Sequence, residues 1–398
     1  WKGRVLDWDK FGRLIMTGLE NKQTVNLIKK YLPQIKAKSK CTTIESQANT
    51  VIAKWISSLV IGKKQDTEED NSSTYRRYRR LKSSGTAHQW QQLISQQKFE
   101  RIDFAKIHGR ALNLLVKGKF LTNHGLKDKY EQWVTKPETV VKYTGFVHEV
   151  MDMCTKYHSL VSMPLHERET VNKQFATLIE KGKASGQSSL IVVRDTSGSM
   201  ISKATGTNMS CHNISKALAL YFSYFLHGAF EDAWIEFNSD AKMHSWIGNN
   251  PVERWFNDHS TYVGSTNFLS VIQLLCSIKT KGVDENDFPT GILCISDSEF
   301  NPTILNHTNV GMALGMLYHA GFSQEYINNF VIVLWNLQSS YYGHGTGKKF
   351  ETYGDVQNVF YFSGYEASTI SFLSGKIKNA SELFEEAMNQ EVLNMIKL

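Results

Sequence analysis

The stretch Leu190-Ile191-Val192-Val193-Arg194-Asp195-Thr196-Ser197-Gly198-Ser199-Met200 decides the fold class of this chain. Its first four residues are continuously apolar, which is typical of a short strand buried on both faces of a parallel sheet. A carboxylate and three hydroxyl groups follow within six residues. The segment before it, Lys181–Ser188, is rich in Gly, Ser and Lys and is expected to be a linker. The sequence therefore predicts a buried strand that ends in a polar loop.

Four more apolar runs and three helical segments follow this strand along the chain. The runs are Ala233–Phe237, Gly291–Ile295, Phe330–Trp335 and Val359–Phe362, and the helical segments are Ile214–Leu226, Asn267–Ile278 and Val310–Ala320. Regular alternation of strand and helix predicts a doubly wound, mostly parallel α/β sheet. We expect this α/β domain to span residues 186–375, followed by a C-terminal helix within 376–398.

Residues 1–185 are predicted to form an all-helical, repeat-like module. Apolar residues there recur at intervals of three and four, the spacing of one buried helical face. The segments with this spacing are Thr24–Leu32, Ile44–Val60, Trp90–Gln97, Phe104–Val116 and Val140–Val161. The whole chain is accordingly expected to combine an all-helical module with an α/β domain.

Carboxylates and hydroxyls follow the predicted strands at one edge of the sheet. Asp195, Ser197 and Ser199 follow the first strand, Asp297 follows the third, and Thr266 opens the helix that lies between them in sequence. Ligands of open α/β sheets bind at the carboxyl ends of the strands. Oxygen donors of this kind suit a small hard cation such as Mg²⁺, or Mn²⁺. The alternative is that the hydroxyls only cap helices, although capping does not require two carboxylates at the ends of neighbouring strands.

These residues resemble the metal-ion-dependent adhesion site of von Willebrand factor A domains, whose pattern is D-x-S-x-S followed by a Thr and then an Asp. The resemblance implies direct coordination of a metal by the hydroxyls of Ser197 and Ser199. It also implies that Thr266 binds directly or through water, and that Asp195 and Asp297 act mostly through bound waters. A metal held in this way keeps one position that an acidic group of a partner can fill.

Catalytic patterns in the sequence are weaker. Asp195-Thr196-Ser197-Gly198-Ser199 loosely resembles the D-x-D-G-T of phosphatases, but Ser197 replaces the second carboxylate. The stretch Gly343–Lys349 lacks the spacing of a phosphate-binding loop. We therefore expect a binding protein rather than an enzyme.

Charge divides the chain into two parts. Residues 1–188 contain 33 Lys and Arg against 18 Asp and Glu, a net charge of +15, whereas residues 189–398 carry a net charge of −8. A basic module is a candidate for binding polyanions, because Lys and Arg displace counterions from phosphate backbones. The alternative is a solvated basic surface with no dedicated partner.

The densest basic cluster is Tyr75-Arg76-Arg77-Tyr78-Arg79-Arg80-Leu81-Lys82 on a predicted helix. Arginine pairs with phosphate through two hydrogen bonds, and tyrosine can stack on unpaired bases. We therefore identify Arg76, Arg77, Arg79, Arg80 and Lys82 as candidate nucleic-acid contacts. The alternative is a solvated helix face with both tyrosine rings packed inward.

A helical module followed by an A domain with this metal motif resembles the Ro autoantigen (TROVE) proteins and a related uncharacterised family. The resemblance rests on the arginine cluster, on Ile102-Asp103-Phe104, on Ser296-Asp297-Ser298-Glu299-Phe300 and on Val333-Leu334-Trp335-Asn336-Leu337. Ro proteins pair a ring of RNA-binding helical repeats with a von Willebrand A domain. The resemblance thus implies an RNA-binding module joined to a metal-dependent one.

Two functions remain open from the sequence, and a third is the weakest. The first is binding of RNA or another polyanion by the helices and of an acidic protein group at the metal site. The second is an assembly subunit that uses the metal site without RNA, and the third is a metal-dependent phosphotransferase or nuclease. The five scattered cysteines and the lack of a long apolar run lead us to expect a cytoplasmic protein without membrane contact.

Overall fold

The chain forms two compact units, Trp1–Asp103 and Phe104–Leu398. The computed structural model describes residues 8–21, 24–25, 28–29, 32, 44–61, 75–81, 89–107, 109–184, 186, 189–204, 207–237, 240–258, 268–297, 307–338 and 359–363. The predicted boundary at 185/186 falls inside the second unit, and the helix predicted within 376–398 lies outside the described residues. The predicted domain limits therefore remain predictions.

The described part of the first unit is helical. Its helices are α1 (Trp8–Glu20), α2 (Ile44–Ile61), α3 (75–81) and α4 (Gln89–Ser95). Ile15 of α1, Ala53 and Ile56 of α2 and Tyr78 of α3 are buried in one apolar cluster. The predicted helices at 44–60 and 90–97 are confirmed. Of the predicted helix at 24–32, five of the nine residues are described, and three of them, Val25, Ile28 and Lys29, are helical.

A six-stranded sheet organises the second unit. Its strands are β1 (Leu190–Asp195), β2 (Ala233–Phe237), β3 (Lys242–Ser245), β4 (Gly291–Ser296), β5 (Val331–Asn336) and β6 (Val359–Ser363). The spatial order is β3-β2-β1-β4-β5-β6, and every neighbouring pair is parallel except β2 with β3. The five predicted strands and the mostly parallel sheet are confirmed. Strand β3 was not predicted, because its largely exposed sequence Lys-Met-His-Ser contains no apolar run.

Helices of the second unit lie before and between these strands. In chain order they are α5 (Gly109–Lys117), α6 (Phe120–Asn123), α7 (Lys127–Val134), α8 (Val147–Met151), α9 (Leu165–Ala184), α10 (Cys211–Ser223), α11 (Pro251–Phe256), α12 (Phe268–Lys279), α13 (His307–His319) and α14 (Gln324–Asn329). Apolar residues of α12, α13 and α14 form one core with the sheet, and α10 packs on β1. The combination of a helical part with an α/β sheet is therefore confirmed.

Helices α8 and α9 belong to the compact unit that contains the sheet. Helix α8 packs on α10, and α9 packs on α11 as well as on α8. The predicted linker at 181–188 is wrong at its start, because α9 continues to Ala184. Gly182 allows α9 to approach Tyr221 of α10 and Phe225 just after it closely: a Cβ atom there would lie 2.5 Å from the Tyr221 hydroxyl and 2.6 Å from the Phe225 ring.

The helix predicted over Val140–Val161 is wrong for most of its length. Only Val147–Met151 is α-helical, and residues 140–146 before it form neither a helix nor a strand. Val141 and Tyr143 are buried there while Lys142 between them is exposed, which is the period-two pattern of an extended segment. The predicted helix over 104–116 is shorter as well, since a 3-10 turn at Phe104–Lys106 precedes α5.

Among the described residues, no helix combines the length and the apolar character that crossing a lipid bilayer requires.

Candidate functional site

Strand β1 and the turn after it contain the first carboxylate and two hydroxyls of the site. Asp195 ends the strand and is almost fully buried, and Ser197 and Ser199 follow in and beside the 3-10 turn Gly198–Ile201. The Ser197 backbone N–H donates to Asp195 Oδ1 at 2.8 Å, which turns the chain back over the end of the strand. The Ser197 and Ser199 hydroxyl oxygens are 2.9 Å apart.

Strand β4 pairs with β1 in parallel and brings the second carboxylate to the same edge. Ser199 Oγ donates to Asp297 Oδ1 at 2.9 Å. Because a hydroxyl has one proton, Ser197 must be the donor in its contact with Ser199. Ser296, the last residue of β4, donates from Oγ to Asp195 Oδ2 at 2.5 Å. The two strand ends are therefore joined by a continuous set of hydrogen bonds.

The structure brings together four of the five residues predicted to hold a metal, namely Asp195, Ser197, Ser199 and Asp297. The fifth, Thr266, lies outside the described residues. The four side chains present only oxygen atoms, the donor type that hard divalent cations prefer.

Among the described residues, neither carboxylate in the cluster has a cationic partner. In the described part of the chain their hydrogen-bond donors are hydroxyls and a backbone amide. Burial raises the pKa of the Asp297 carboxyl; the hydrogen bond from Ser199 lowers it, and the charge of Asp195 raises it further. Two neighbouring carboxylates without a counter-charge favour the binding of a cation.

The donor set is unusual in depending on hydroxyls. Within the described ranges, no three side chains of the His, Cys, Asp or Glu type come together as metal ligands. A metal at this edge would therefore need Ser197 and Ser199 as well as the two carboxylates. These residues fit a small hard cation in donor type.

A buried cluster of charges beside the site was missed from the sequence. Arg194, the residue before Asp195, is fully buried, and its Nη1 lies 3.1 Å from Asp258 Oδ2. Lys216 Nζ on α10 lies 3.2 Å from the same oxygen. Burial raises the pKa of the Asp258 carboxyl, but the two cations outweigh burial and lower it to about 2. Burial lowers the pKa of Lys216 to about 8.

Aromatic rings complete this cluster. The Arg194 guanidinium lies 4.2 Å from the Trp234 ring centre, and Lys216 Nζ lies 4.5 Å from that of Trp255. Such cation–π contacts partly replace the water that a buried cation loses. The signal that could have revealed the cluster is Arg194 itself, a charged residue within an otherwise apolar strand.

The arginine cluster lies on α3 in the first unit. Arg76, Arg77, Arg79 and Arg80 are exposed there, and Lys82 lies outside the described residues. The ring of Tyr78 is fully buried, and burial raises its pKa to about 12. Tyr78 therefore packs inward, as the solvated-face alternative predicts, and does not offer a surface to unpaired bases.

A cleft of about 510 Å³ lies between α5, the segment 143–152 and residues 207–209. Charged groups on its walls pair with each other: Arg110 contacts Glu149 at 2.6 Å, and Lys117 pairs with Asp152. The cleft therefore lacks the unpaired carboxylates that distinguish the β1–β4 edge, and we regard that edge as the candidate site.

Comparisons with protein-family models, with curated proteins and with solved structures found no match. What the site binds must accordingly be worked out from its own side chains and their surroundings.

Proposed function

We propose that this protein is a non-enzymatic binding protein whose α/β unit holds a divalent metal and engages an acidic group of a protein partner. The observation that carries the proposal is the hydrogen-bonded cluster of Asp195, Ser197, Ser199 and Asp297 at the carboxyl ends of β1 and β4. Its two carboxylates meet hydroxyl and amide donors but no side-chain cation among the described residues.

The proposed module is of the von Willebrand A type. The sheet order β3-β2-β1-β4-β5-β6 with helices on both faces supports this assignment, as does the position of the cluster at adjacent strand ends. Asp195, Ser197 and Ser199 form the D-x-S-x-S part of the motif, Asp297 its last carboxylate, and Thr266 its threonine. We assign Mg²⁺, or Mn²⁺, as the metal because all the proposed ligands are oxygen atoms.

Bound at this edge, the metal would supply a positive charge that attracts a carboxylate from outside the chain. The protein's own residues prepare for this. Ser199 is exposed at the rim while Asp195 is almost fully buried beneath it. An incoming acidic group would therefore meet the hydroxyl side of the cluster and not the buried carboxylate.

Binding is favoured over catalysis by what the cluster lacks. The described residues that contact Asp195, Ser197, Ser199 and Asp297 include no His, Lys or Cys that could act as a general base. A phosphotransferase or nuclease would have to use one of the two carboxylates, or a metal-activated water, in place of such a group. It remains the weakest alternative, and turnover that requires metal and Asp195 would establish it.

A second binding function, for RNA, is favoured by the arginine cluster of α3. Four arginines are exposed within five residues, and residues 1–103 contain 20 Lys and Arg against 10 Asp and Glu, a net charge of +10. Because Tyr78 is buried, its ring cannot stack on bases, and the contacts that we propose are those of the four arginines with phosphates. An assembly subunit that binds acidic protein surfaces is the alternative, and the salt dependence described below separates the two.

Thermal unfolding with and without Mg²⁺ tests the metal site. At a Mg²⁺ concentration about 100-fold above its Kd, binding adds about 2.7 kcal/mol to the unfolding free energy. We therefore expect the melting temperature to rise on Mg²⁺ addition. The rise should disappear in Ser199→Ala and Asp297→Ala, because each removes a proposed ligand.

Ser277→Ala is the matched control for this experiment. Ser277 is an exposed serine of α12 whose hydroxyl donates to the Leu274 carbonyl of the same helix. This variant should keep the full Mg²⁺-dependent rise. An equal rise in wild type, Ser199→Ala and Asp297→Ala would refute the proposed metal site.

A further inference from the structure

A residue outside the metal motif reaches the proposed site from a third strand. Gln338 follows β5, and its side-chain Nε2 donates to Ser202 Oγ at 2.8 Å and to the Lys203 carbonyl at 3.2 Å. Ser202 Oγ in turn lies 3.4 Å from Asp297 Oδ2. The chain of contacts therefore runs from Gln338 through Ser202 to a proposed metal-binding carboxylate.

The direction of these hydrogen bonds is fixed by the chemistry of the groups. The amide nitrogen of glutamine is only a donor, so Ser202 Oγ must accept from Gln338. The single proton of Ser202 is then free to point to Asp297 Oδ2. Since Ser199 donates to Oδ1 of the same carboxylate, Asp297 is held at both of its oxygens.

Gln338 is itself fixed by its backbone. Its N–H donates to the Asn336 side-chain oxygen at 2.9 Å, and the preceding N–H, that of Leu337, donates to the Ser296 carbonyl at 2.8 Å. Ser296 is the residue before Asp297, and Leu337 is fully buried. A backbone hydrogen bond thus joins the ends of β4 and β5. From this fixed position the Gln338 side chain contacts the loop after β1.

We propose that Gln338, acting through Ser202, is a positioning residue that orients the Asp297 carboxylate and so sets the affinity of the site for Mg²⁺. The inference rests on the proposed metal site and adds two residues that the D-x-S-x-S, Thr and Asp pattern does not contain. Groups that orient metal ligands typically change metal affinity by about 10- to 100-fold when removed. Gln338 itself does not contact the metal.

The test is titration calorimetry with Mg²⁺ alone on wild type, Gln338→Met, Ser202→Ala and the double variant. Methionine keeps the length of the side chain and removes the amide. Each single variant should weaken Mg²⁺ binding by about 10-fold. The double variant should be no weaker than Ser202→Ala, because both changes break the same chain of contacts.

Further variants separate positioning from a general loss of stability. Ser202→Thr retains the hydroxyl and should restore the wild-type affinity. Gln324→Met, at an exposed glutamine of α14, should leave Mg²⁺ binding unchanged. The melting temperature without metal should be the same in Ser202→Ala as in wild type, because Ser202 is exposed.

Two results would overturn the inference while leaving the metal site intact. One such result is a wild-type Mg²⁺ Kd in both Gln338→Met and Ser202→Ala. The other is a double variant whose loss of Mg²⁺ affinity equals the product of the losses in the two single variants. If Gln338→Met is unstable without metal, Ser202→Ala with its threonine counterpart decides the question. A wild-type protein that binds no Mg²⁺ would refute the metal site and this inference with it.

Discussion

Asp258 lies between two buried cations, and one of them, Arg194, directly precedes Asp195 of the candidate site. Its carboxylate contacts Arg194 and Lys216, and its side chain is only 2% exposed. A buried ion pair adds little stability compared with apolar packing, but removing one partner leaves an uncompensated charge in the interior. We therefore expect the contribution of Asp258 to appear as a loss of unfolding free energy when its carboxylate is removed.

We predict that Asp258→Asn lowers the unfolding free energy by about 3–5 kcal/mol at pH 7, because Arg194 and Lys216 then lose their counter-charge. The measurement is urea unfolding followed by tryptophan fluorescence, for which Trp234 and Trp255 lie against the two cations. The control is Glu180→Gln, which breaks an exposed pair with Lys183 and should cost less than about 1 kcal/mol.

The difference between wild type and Asp258→Asn should depend on pH. The pKa of Asp258 is about 2 in the folded protein and higher when unfolded, so its contribution is complete above pH 4. It is lost as the pH falls from about 4 to 2, where the folded state also takes up the proton. The two proteins should therefore converge in stability on acidification. A difference that stays constant from pH 7 to pH 2 would contradict the ionised triad.

Helix α3 illustrates how an element can be predicted while the roles of its residues are not. Arg76 and Arg80 lie on the helix face opposite Tyr78, and Arg77 and Arg79 lie on its two flanks, because successive residues turn by about 100° around the axis. The sequence predicted the helix and its charge. The sequence did not establish whether Tyr75 and Tyr78 stack on bases or pack in the core. Burial of Tyr78 shows that this ring packs in the core.

We predict that replacing Arg76, Arg77, Arg79 and Arg80 with Gln weakens RNA binding and flattens its salt dependence. Each lost phosphate contact should reduce the slope of log K against log salt by about 0.7 on single strands, so four contacts account for about 3. The measurement is fluorescence anisotropy of a mixed-sequence 30-nucleotide RNA over a series of salt concentrations.

The control for this prediction removes an equal charge elsewhere. Exposed lysines of the second unit are replaced with Gln together: Lys119, Lys127, Lys136 and Lys281. This variant should retain most of the affinity and the slope. Equal effects of the two quadruple variants would indicate a response to net charge alone, and unchanged binding in the arginine variant would exclude α3 as the RNA surface.

Elements with one dominant signal were predictable, and elements with mixed signals were not. Strands β1, β2, β4, β5 and β6 are short, largely apolar runs, and the sequence locates the ends of each to within a residue or two. Strand β3 at the sheet edge is mostly exposed and has no such run. The segment before α8 is not helical, although its apolar residues also fit the spacing of three and four that predicts a helix.

At the scale of the whole molecule, the topology of the sheet explains why a site could be predicted at all. Residues about 100 positions apart, Ser199 and Asp297, meet because β1 and β4 are parallel neighbours that end at the same edge. A rule about strand ends was enough to place them together. This rule does not predict the contact between Gln338 and Ser202. That contact depends on how far two side chains extend between loops, which no sequence pattern indicates.

The division of the chain at this scale differs from the division by charge. The N-terminal part of the chain, up to residue 188, has a positive net charge and the rest a negative one. The boundary between the two compact units lies elsewhere in the sequence, at 103/104. Helices α8 and α9 lie on the basic side of the charge boundary and yet pack against α10 and α11. Charge patterning reports on partners and solvation, not on which segments share a core.

If one divalent metal binds at the ends of β1 and β4, a Mn²⁺ titration followed by electron paramagnetic resonance will detect it. The signal of free aqueous Mn²⁺ counts the ions that the protein has not bound. We predict one Mn²⁺ per chain in wild type, displaced by Mg²⁺, and no such binding in Ser199→Ala, whose changed residue lies at the exposed rim of the cluster. Absence of bound Mn²⁺ in wild type, or the same stoichiometry and affinity in Ser199→Ala, would contradict it.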